Sequence, residues 1–202
     1  GTQGERGNEV VARPSGPRAP RSRTRARRLR LLQPVVASAP TTGAWRAAGA
    51  RDERRLLPVS MGERIEVRRL MAWFNEKFFE EASNPLVTER IYKRFMSEEH
   101  GGGSPATDVI RAAKVNVRYH LAYIGWLAQT RNFLAGDRIS YADLAAAAHL
   151  SAIDYLGDVP WSEDEAAKAW YARVKSRPSF RPLLSEWLAG VPASRTYVDL
   201  DF

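Results

Sequence analysis

Residues 133–150 read FLAGDRISYADLAAAAHL, and this stretch carries the strongest structural signal in the sequence. Ser140 and Asp143 have the spacing of a capping box, in which a hydroxyl and a carboxylate three residues apart each accept a backbone N–H at a helix N-terminus. The alanine-rich residues that follow favour a helix. The stretch therefore predicts a helix from Tyr141 to about Leu156.

The same pair could also be a catalytic serine and its acidic partner. Such a pair needs a base, and His149 lies two and a half turns further along the predicted helix, out of hydrogen-bond range of Ser140. Ile139 and Leu144 are placed as a hydrophobic staple around the cap. We therefore predict structural capping with no catalytic residue here, and for His149 we favour a core histidine over a role in a substrate cleft.

The sequence after residue 56 predicts only helices, and the fold class is therefore all-α. Apolar residues recur at helical spacing, and no convincing strand pattern appears. The further predicted helices cover 62–82, 85–97, a span through Ala113 and Ala128 that Ser104 or Thr107 could cap, 163–176, and a short helix that begins near Pro182.

Aromatic residues form a stripe on the first of these helices. Trp73, Phe74, Phe78 and Phe79 recur along one part of its surface. Core packing is the favoured interpretation, and a contact with another domain or a wall for a hydrophobic substrate is the alternative.

Residues 1–55 differ sharply from the rest in charge and composition. They hold 13 Arg and four acidic residues, a net charge of +9, whereas the remaining residues have 18 basic and 19 acidic side chains. The segment has no Lys, Phe, Tyr, Ile or Met and no apolar period, so it predicts a disordered basic arm.

Four origins of this arm stay open. It could be a nucleic-acid-binding tail, although it lacks interleaved aromatics. It could be a targeting peptide, with LLQPVVASA as its apolar part, or a plain solvated tail. The fourth is an out-of-frame or mis-started translation of a GC-rich gene, because the regular pattern begins near the first methionine, Met61.

Composition excludes several chemistries for the whole chain. It has no cysteine, so thiol nucleophiles, disulfides and cysteine-bound zinc are excluded. Its three histidines are scattered without ligand spacing, so no metal site is predicted. No apolar run reaches membrane-spanning length.

The quoted stretch, with RLLPVSMGERIEVRRLMAWF before it and AWYARVKSRPSFRPLL after it, resembles the C-terminal, all-helical domain of the glutathione S-transferase superfamily. The resemblance covers roughly residues 55–190. Together with the terminal YVDLDF, the chain is most similar to the bacterial FtsZ-binding division proteins of that superfamily. This gives three expected parts: the arm at 1–55, a glutathione S-transferase C-terminal-like helical domain at 56–192 and an acidic, apolar tail at 193–202.

The resemblance implies a non-enzymatic cytoplasmic protein that binds FtsZ at the division site, with no cofactor. Its superfamily places glutathione on a thioredoxin-like domain, which is not recognisable here, so no position inherits a catalytic Ser, Tyr or Cys. A glutathione transferase that lacks its glutathione-binding domain is the alternative, a homodimer stays open, and neither nucleic acid nor membrane is an expected partner. The expected partner-binding residues are Tyr197, Asp199, Leu200, Asp201 and Phe202.

Overall fold

The computed structural model describes residues 55–199, and their backbone is mostly helical. The α-helices in this range are α1 (Met61–Ala72), α2 (Asn84–Arg90), α3 (Thr107–Thr130), α4 (Tyr141–Tyr155), α5 (Glu165–Lys175), α6 (Arg181–Leu184) and α7 (Arg195–Val198). A π-helical segment, Trp73–Ser83, joins α1 to α2, and 3-10 turns occupy Tyr92–Arg94, Glu98–His100 and Trp161–Glu163.

Among residues 55–199 the backbone forms two isolated β-bridges and no strand, so the all-α prediction is confirmed. Apart from Arg55, the predicted disordered arm lies outside the described residues. The division of the chain at residues 56 and 192 stays a prediction.

Helix α4 begins at the motif quoted first. Ser140 Oγ accepts the N–H of Ala142 at 3.2 Å, and the Asp143 carboxylate accepts the N–H of Ser140 at 2.8 Å. The buried carboxylate also accepts the N–H of Leu134 and the indole N–H of Trp170, both at 2.9 Å. Asp143 therefore caps α4 and also ties it to the preceding loop and to α5.

The core lies where one face of each long helix meets the others. Helices α3 and α5 approach closely at Gly125, where an added Cβ would lie 2.0 Å from Asp164 Oδ2. Asp164 in turn caps α5 by accepting the N–H of Ala167 at 2.9 Å. Fully or almost fully buried core side chains include Val67, Leu70, Phe74, Phe78, Val117, Leu121, Ile124, Ala146, Leu150, Ile153, Trp170, Tyr171 and Val174.

The first predicted helix, residues 62–82, changes its hydrogen-bond pattern half-way. It is α-helical up to Ala72 and then π-helical, with the wider i→i+5 bonding. Phe74 and Phe78 of the aromatic stripe are fully buried, whereas Trp73 and Phe79 are half-buried at its margin.

The predicted cap of α3 is wrong. Neither Ser104 nor Thr107 caps the helix, because the N-cap position is Ala106, which has no capping side chain. The Glu89 carboxylate accepts the N–H of Ala106 at 2.8 Å and also contacts Lys93 Nζ at 2.6 Å. A side chain from α2, 17 residues earlier, thus supplies the missing acceptor.

The end of α2 also differs from the predicted end, and the reason is the local backbone conformation. Helix α2 ends at Arg90 and not near residue 97, because Ile91 leaves the helical region with φ −121° and ψ −61°. Leu144 is 36% exposed, and the predicted staple between it and Ile139 stays a prediction.

Candidate partner-binding site

The C-terminal segment, residues 188–199, packs against the end of α4. The Tyr155 hydroxyl donates to the Val191 carbonyl at 2.7 Å and accepts the N–H of Leu188 at 2.9 Å. The Tyr155 carbonyl accepts the N–H of Ser194 at 2.9 Å. Tyr155 therefore fixes the first half of the C-terminal segment through three hydrogen bonds.

A buried polar network fixes its second half. Asp154 is fully buried and accepts hydrogen bonds from Trp161 Nε1 at 2.9 Å and Thr196 Oγ1 at 2.7 Å. Lys175 Nζ lies 3.7 Å from Asp154 Oδ2 and donates to the carbonyls of Thr196 and Asp199. Burial raises the pKa of Asp154 and lowers that of Lys175, and their mutual attraction opposes both shifts.

Tyr197 lies inside this packed arrangement. It is buried, and its hydroxyl donates to the Leu183 carbonyl at 2.8 Å. Its ring packs edge-on against Tyr155 with centroids 5.0 Å apart, and burial raises its pKa to about 12. Among the residues expected to bind a partner, Tyr197 therefore has an anchoring position.

The two residues that follow Tyr197 are exposed to solvent. Val198 is 63% exposed, and Asp199 is also exposed. Leu183, in α6, is 43% exposed, and Trp187, three residues after the end of α6, is 60% exposed. Leu200, Asp201 and Phe202 lie outside the described residues, so the structure places only Tyr197 and Asp199 of the expected set.

His149 lies in the core, 1% exposed. Its Nδ1 is 2.9 Å from Ser83 Oγ and its Nε2 is 3.3 Å from Asn75 Oδ1. Burial lowers its pKa to about 4, so the ring is neutral near pH 7. These contacts are those of a hydrogen-bonded core histidine.

A second buried histidine, His120, was not singled out from the sequence. Trp73 Nε1 donates to its Nδ1 at 3.2 Å, which leaves Nε2 to donate to Glu81 Oε2 at 3.0 Å. His120 lies three residues after Val117, on the apolar stripe of α3, and that spacing was the available signal.

Lys175 was also missed. It stands four residues after buried Tyr171 on α5, which places it on the buried face. A charged residue on a buried face indicates that it has a buried partner. The sequence does not show which partner, because the carbonyls that Lys175 contacts belong to Thr196 and Asp199, 21 and 24 residues further along the chain.

Within 55–199 no three His, Cys, Asp or Glu side chains are grouped to hold a metal ion. In the same range no helix has the length and apolarity to cross a membrane.

Comparison with known proteins assigns the family. The family model for the glutathione S-transferase C-terminal domain matches residues 86–178. This part of the chain belongs to that family. FtsZ-localized protein A of Caulobacter vibrioides is 47% identical over 150 residues, which are 74% of this chain and 64% of that protein.

Three solved structures are similar at comparable identity. A glutathione S-transferase from Sinorhizobium meliloti 1021 is 52% identical with a TM-score of 0.72, over 74% of this chain and 64% of that one. A glutathione S-transferase from Rhodospirillum rubrum F11 is 53% identical with a TM-score of 0.70, over 74% and 66%. FzlA from C. crescentus is 48% identical with a TM-score of 0.69, over 73% and 63%. The chain spans 63 to 66% of the length of these relatives.

Proposed function

We propose that this chain is a non-enzymatic, FtsZ-binding regulator of bacterial cell division that acts in the cytoplasm at the division site. The observation that carries the proposal is the 47% identity to FtsZ-localized protein A, which extends over 150 residues. The resemblance of the terminal YVDLDF to division proteins of this superfamily adds to it.

The proposed contact is the stretch of residues 197–202, which begins at the end of the C-terminal segment. Tyr197 anchors its base, while Asp199 and the following Leu200, Asp201 and Phe202 alternate acidic and apolar side chains. Apolar side chains at alternate positions can enter pockets on a partner, and the carboxylates select a surface of complementary charge. An anchored base lowers the entropy that the segment loses on binding.

The proposal is tested by sedimentation of FtsZ polymers with charge variants of the chain. Asp201→Lys reverses one acidic side chain at the proposed contact, and Asp137→Lys is the matched control in an exposed loop. We expect Asp201→Lys to reduce the amount that pellets with the polymers by about tenfold, the range of a close charge pair, while the control pellets like the unaltered chain. Equal pelleting by all three chains would remove the segment as the contact.

A glutathione transferase is the second candidate. It is favoured by the two solved structures named glutathione S-transferases at 52% and 53% identity. In the superfamily the glutathione site lies on a thioredoxin-like domain. No such domain is recognisable in these 202 residues, so we expect them to show no glutathione transferase activity. Conjugation of glutathione to a chromogenic electrophile above the uncatalysed rate would support the enzyme instead.

Self-association is a separate proposal. A homodimer is a common assembly for soluble proteins, and light scattering coupled to size-exclusion chromatography measures it directly. A mass of twice 22.7 kDa would support the dimer, and a mass of 22.7 kDa would exclude it under those conditions.

A further inference from the structure

Lys175 is a buried ammonium group at the end of α5. Its side chain has 0% exposure. A buried charge is costly unless it is paired and hydrogen-bonded. Its partners are the Asp154 carboxylate, the carbonyls of Thr196 and Asp199, and the Tyr171 ring, whose centroid is 5.8 Å from Nζ.

The two carbonyls belong to the C-terminal segment, on either side of Tyr197 and Val198. Thr196 lies in α7 and Asp199 is the C-cap residue that follows it, a position where an α-helix leaves carbonyl groups without partners inside the helix. A helix of four residues is not stable alone, so α7 depends on contacts from outside itself. The Lys175 ammonium is such a contact, because it bonds the segment at two points three residues apart.

The second bond has particular weight because it holds Asp199, the residue directly before Leu200. Lys175 Nζ lies 2.6 Å from the Asp199 carbonyl oxygen. Asp154 supports the same geometry, since it pairs with Lys175 and accepts from Thr196 Oγ1. The backbone position of Asp199, the last residue that the structure describes, is thus fixed by a pair of charged side chains inside the helical domain.

We propose that Lys175, supported by Asp154, is the positioning residue that fixes the C-terminal segment in its partner-binding geometry. This inference rests on the proposed function, because it assigns to Lys175 the placement of the FtsZ-binding segment. Lys175 does not touch the partner in this account, and it acts only through the backbone of Thr196 and Asp199.

The test removes the charged pair as a unit. Lys175→Met combined with Asp154→Asn keeps the side-chain sizes and leaves no unpaired buried charge. Lys168→Met is the matched control, because Lys168 is on the same helix two turns away and pairs with Glu165. Thr196→Val is a second variant on the segment itself, which removes the bonds of Thr196 Oγ1 with Asp154 Oδ1 and Ser194 Oγ and keeps the Lys175–Asp154 pair.

Two readouts are measured on each 202-residue chain: hydrogen exchange of the Tyr197 and Asp199 amides, and sedimentation with FtsZ polymers. In the double variant we expect these amides to exchange about 10- to 100-fold faster, the range for lost hydrogen bonds to a charged group. We expect affinity for FtsZ polymers to fall by about tenfold or more, since a freed segment must be ordered on binding. Thr196→Val should show smaller changes in the same directions, and Lys168→Met should show neither.

Unchanged exchange at Tyr197 and Asp199 would overturn the inference, because Lys175 would then not hold the segment. Faster exchange with unchanged FtsZ affinity would overturn it as well, since the held geometry would not matter for binding. If the double variant does not fold, Lys175→Met alone decides by the same two readouts, because Asp154 then keeps its hydrogen bonds from Trp161 and Thr196. An unaltered chain that does not bind FtsZ would instead remove the proposed function, while the exchange rates would still show whether Lys175 holds the segment.

Discussion

Replacing Asp143 by alanine tests whether this side chain is more than a helix cap. The change removes the acceptor of three buried N–H groups, on Ser140, Leu134 and Trp170, at 2.8 to 2.9 Å. Loss of a simple N-cap costs about 1 kcal/mol. Three buried N–H groups without acceptors cost about 1–3 kcal/mol each. Allowing for relaxation and water entry, we expect the free energy of unfolding to fall by about 3–5 kcal/mol.

The measurement is urea unfolding followed by circular dichroism, with thermal unfolding beside it. For a chain of this size the expected loss lowers Tm by roughly 10 °C. Ser140→Ala is the matched control, since it removes the bond from Ala142 and the hydroxyl's own bond to Asp143 Oδ2 but leaves the three N–H bonds of the carboxylate in place, and we expect it to cost about 1 kcal/mol. A loss near 1 kcal/mol for Asp143→Ala, equal to that of the control, would refute the reasoning that the carboxylate joins the loop, α4 and α5.

Three further predictions concern packing, capping and pH. Gly125→Ala should lower the free energy of unfolding by about 1–3 kcal/mol, because the methyl group would displace the Asp164 cap of α5; urea unfolding measures it, and an unchanged midpoint would contradict it. Glu89→Ala should cost about 1–2 kcal/mol by leaving the Ala106 N–H without its acceptor, and hydrogen exchange at the start of α3 should rise; unchanged exchange would exclude this cap. His149 has its pKa lowered from 6.5 to about 4, so its share of stability is complete above pH 6.5 and is lost as pH falls towards 4, by up to about 3 kcal/mol. Unfolding of the unaltered chain and of His149→Gln at pH 7.5 and pH 5 should therefore show a smaller pH effect in the variant, and equal effects would argue against a buried neutral ring.

The sequence predicts the helices because their signals are local. The capping residues of α4 are three positions apart, and the apolar faces of α1, α3 and α5 repeat within each helix. Helix ends are less predictable, since the end of α2 depends on the backbone at Ile91 and the cap of α3 on Glu89 from another helix.

Buried polar contacts could not be predicted either, because their partners come from distant parts of the chain. Lys175 can be placed on the buried face of α5 from its spacing, but its partners are backbone carbonyls, which carry no side-chain signature. The sequence of the C-terminal segment is that of a polar terminus. Its hydrogen bonds to Tyr155 and Asp154 become visible only in the folded structure, where the segment packs against α4 and α5. The change to π-helical bonding at Trp73 likewise has no local sequence rule.

The most direct test of the central claim is sedimentation of the unaltered chain with preassembled FtsZ polymers, combined with electron microscopy of the pellet. The account predicts that the chain pellets with the polymers, stays in solution without them, and changes the shape of the filaments. A chain that stays in solution at every polymer concentration, with filaments unaltered, would contradict it.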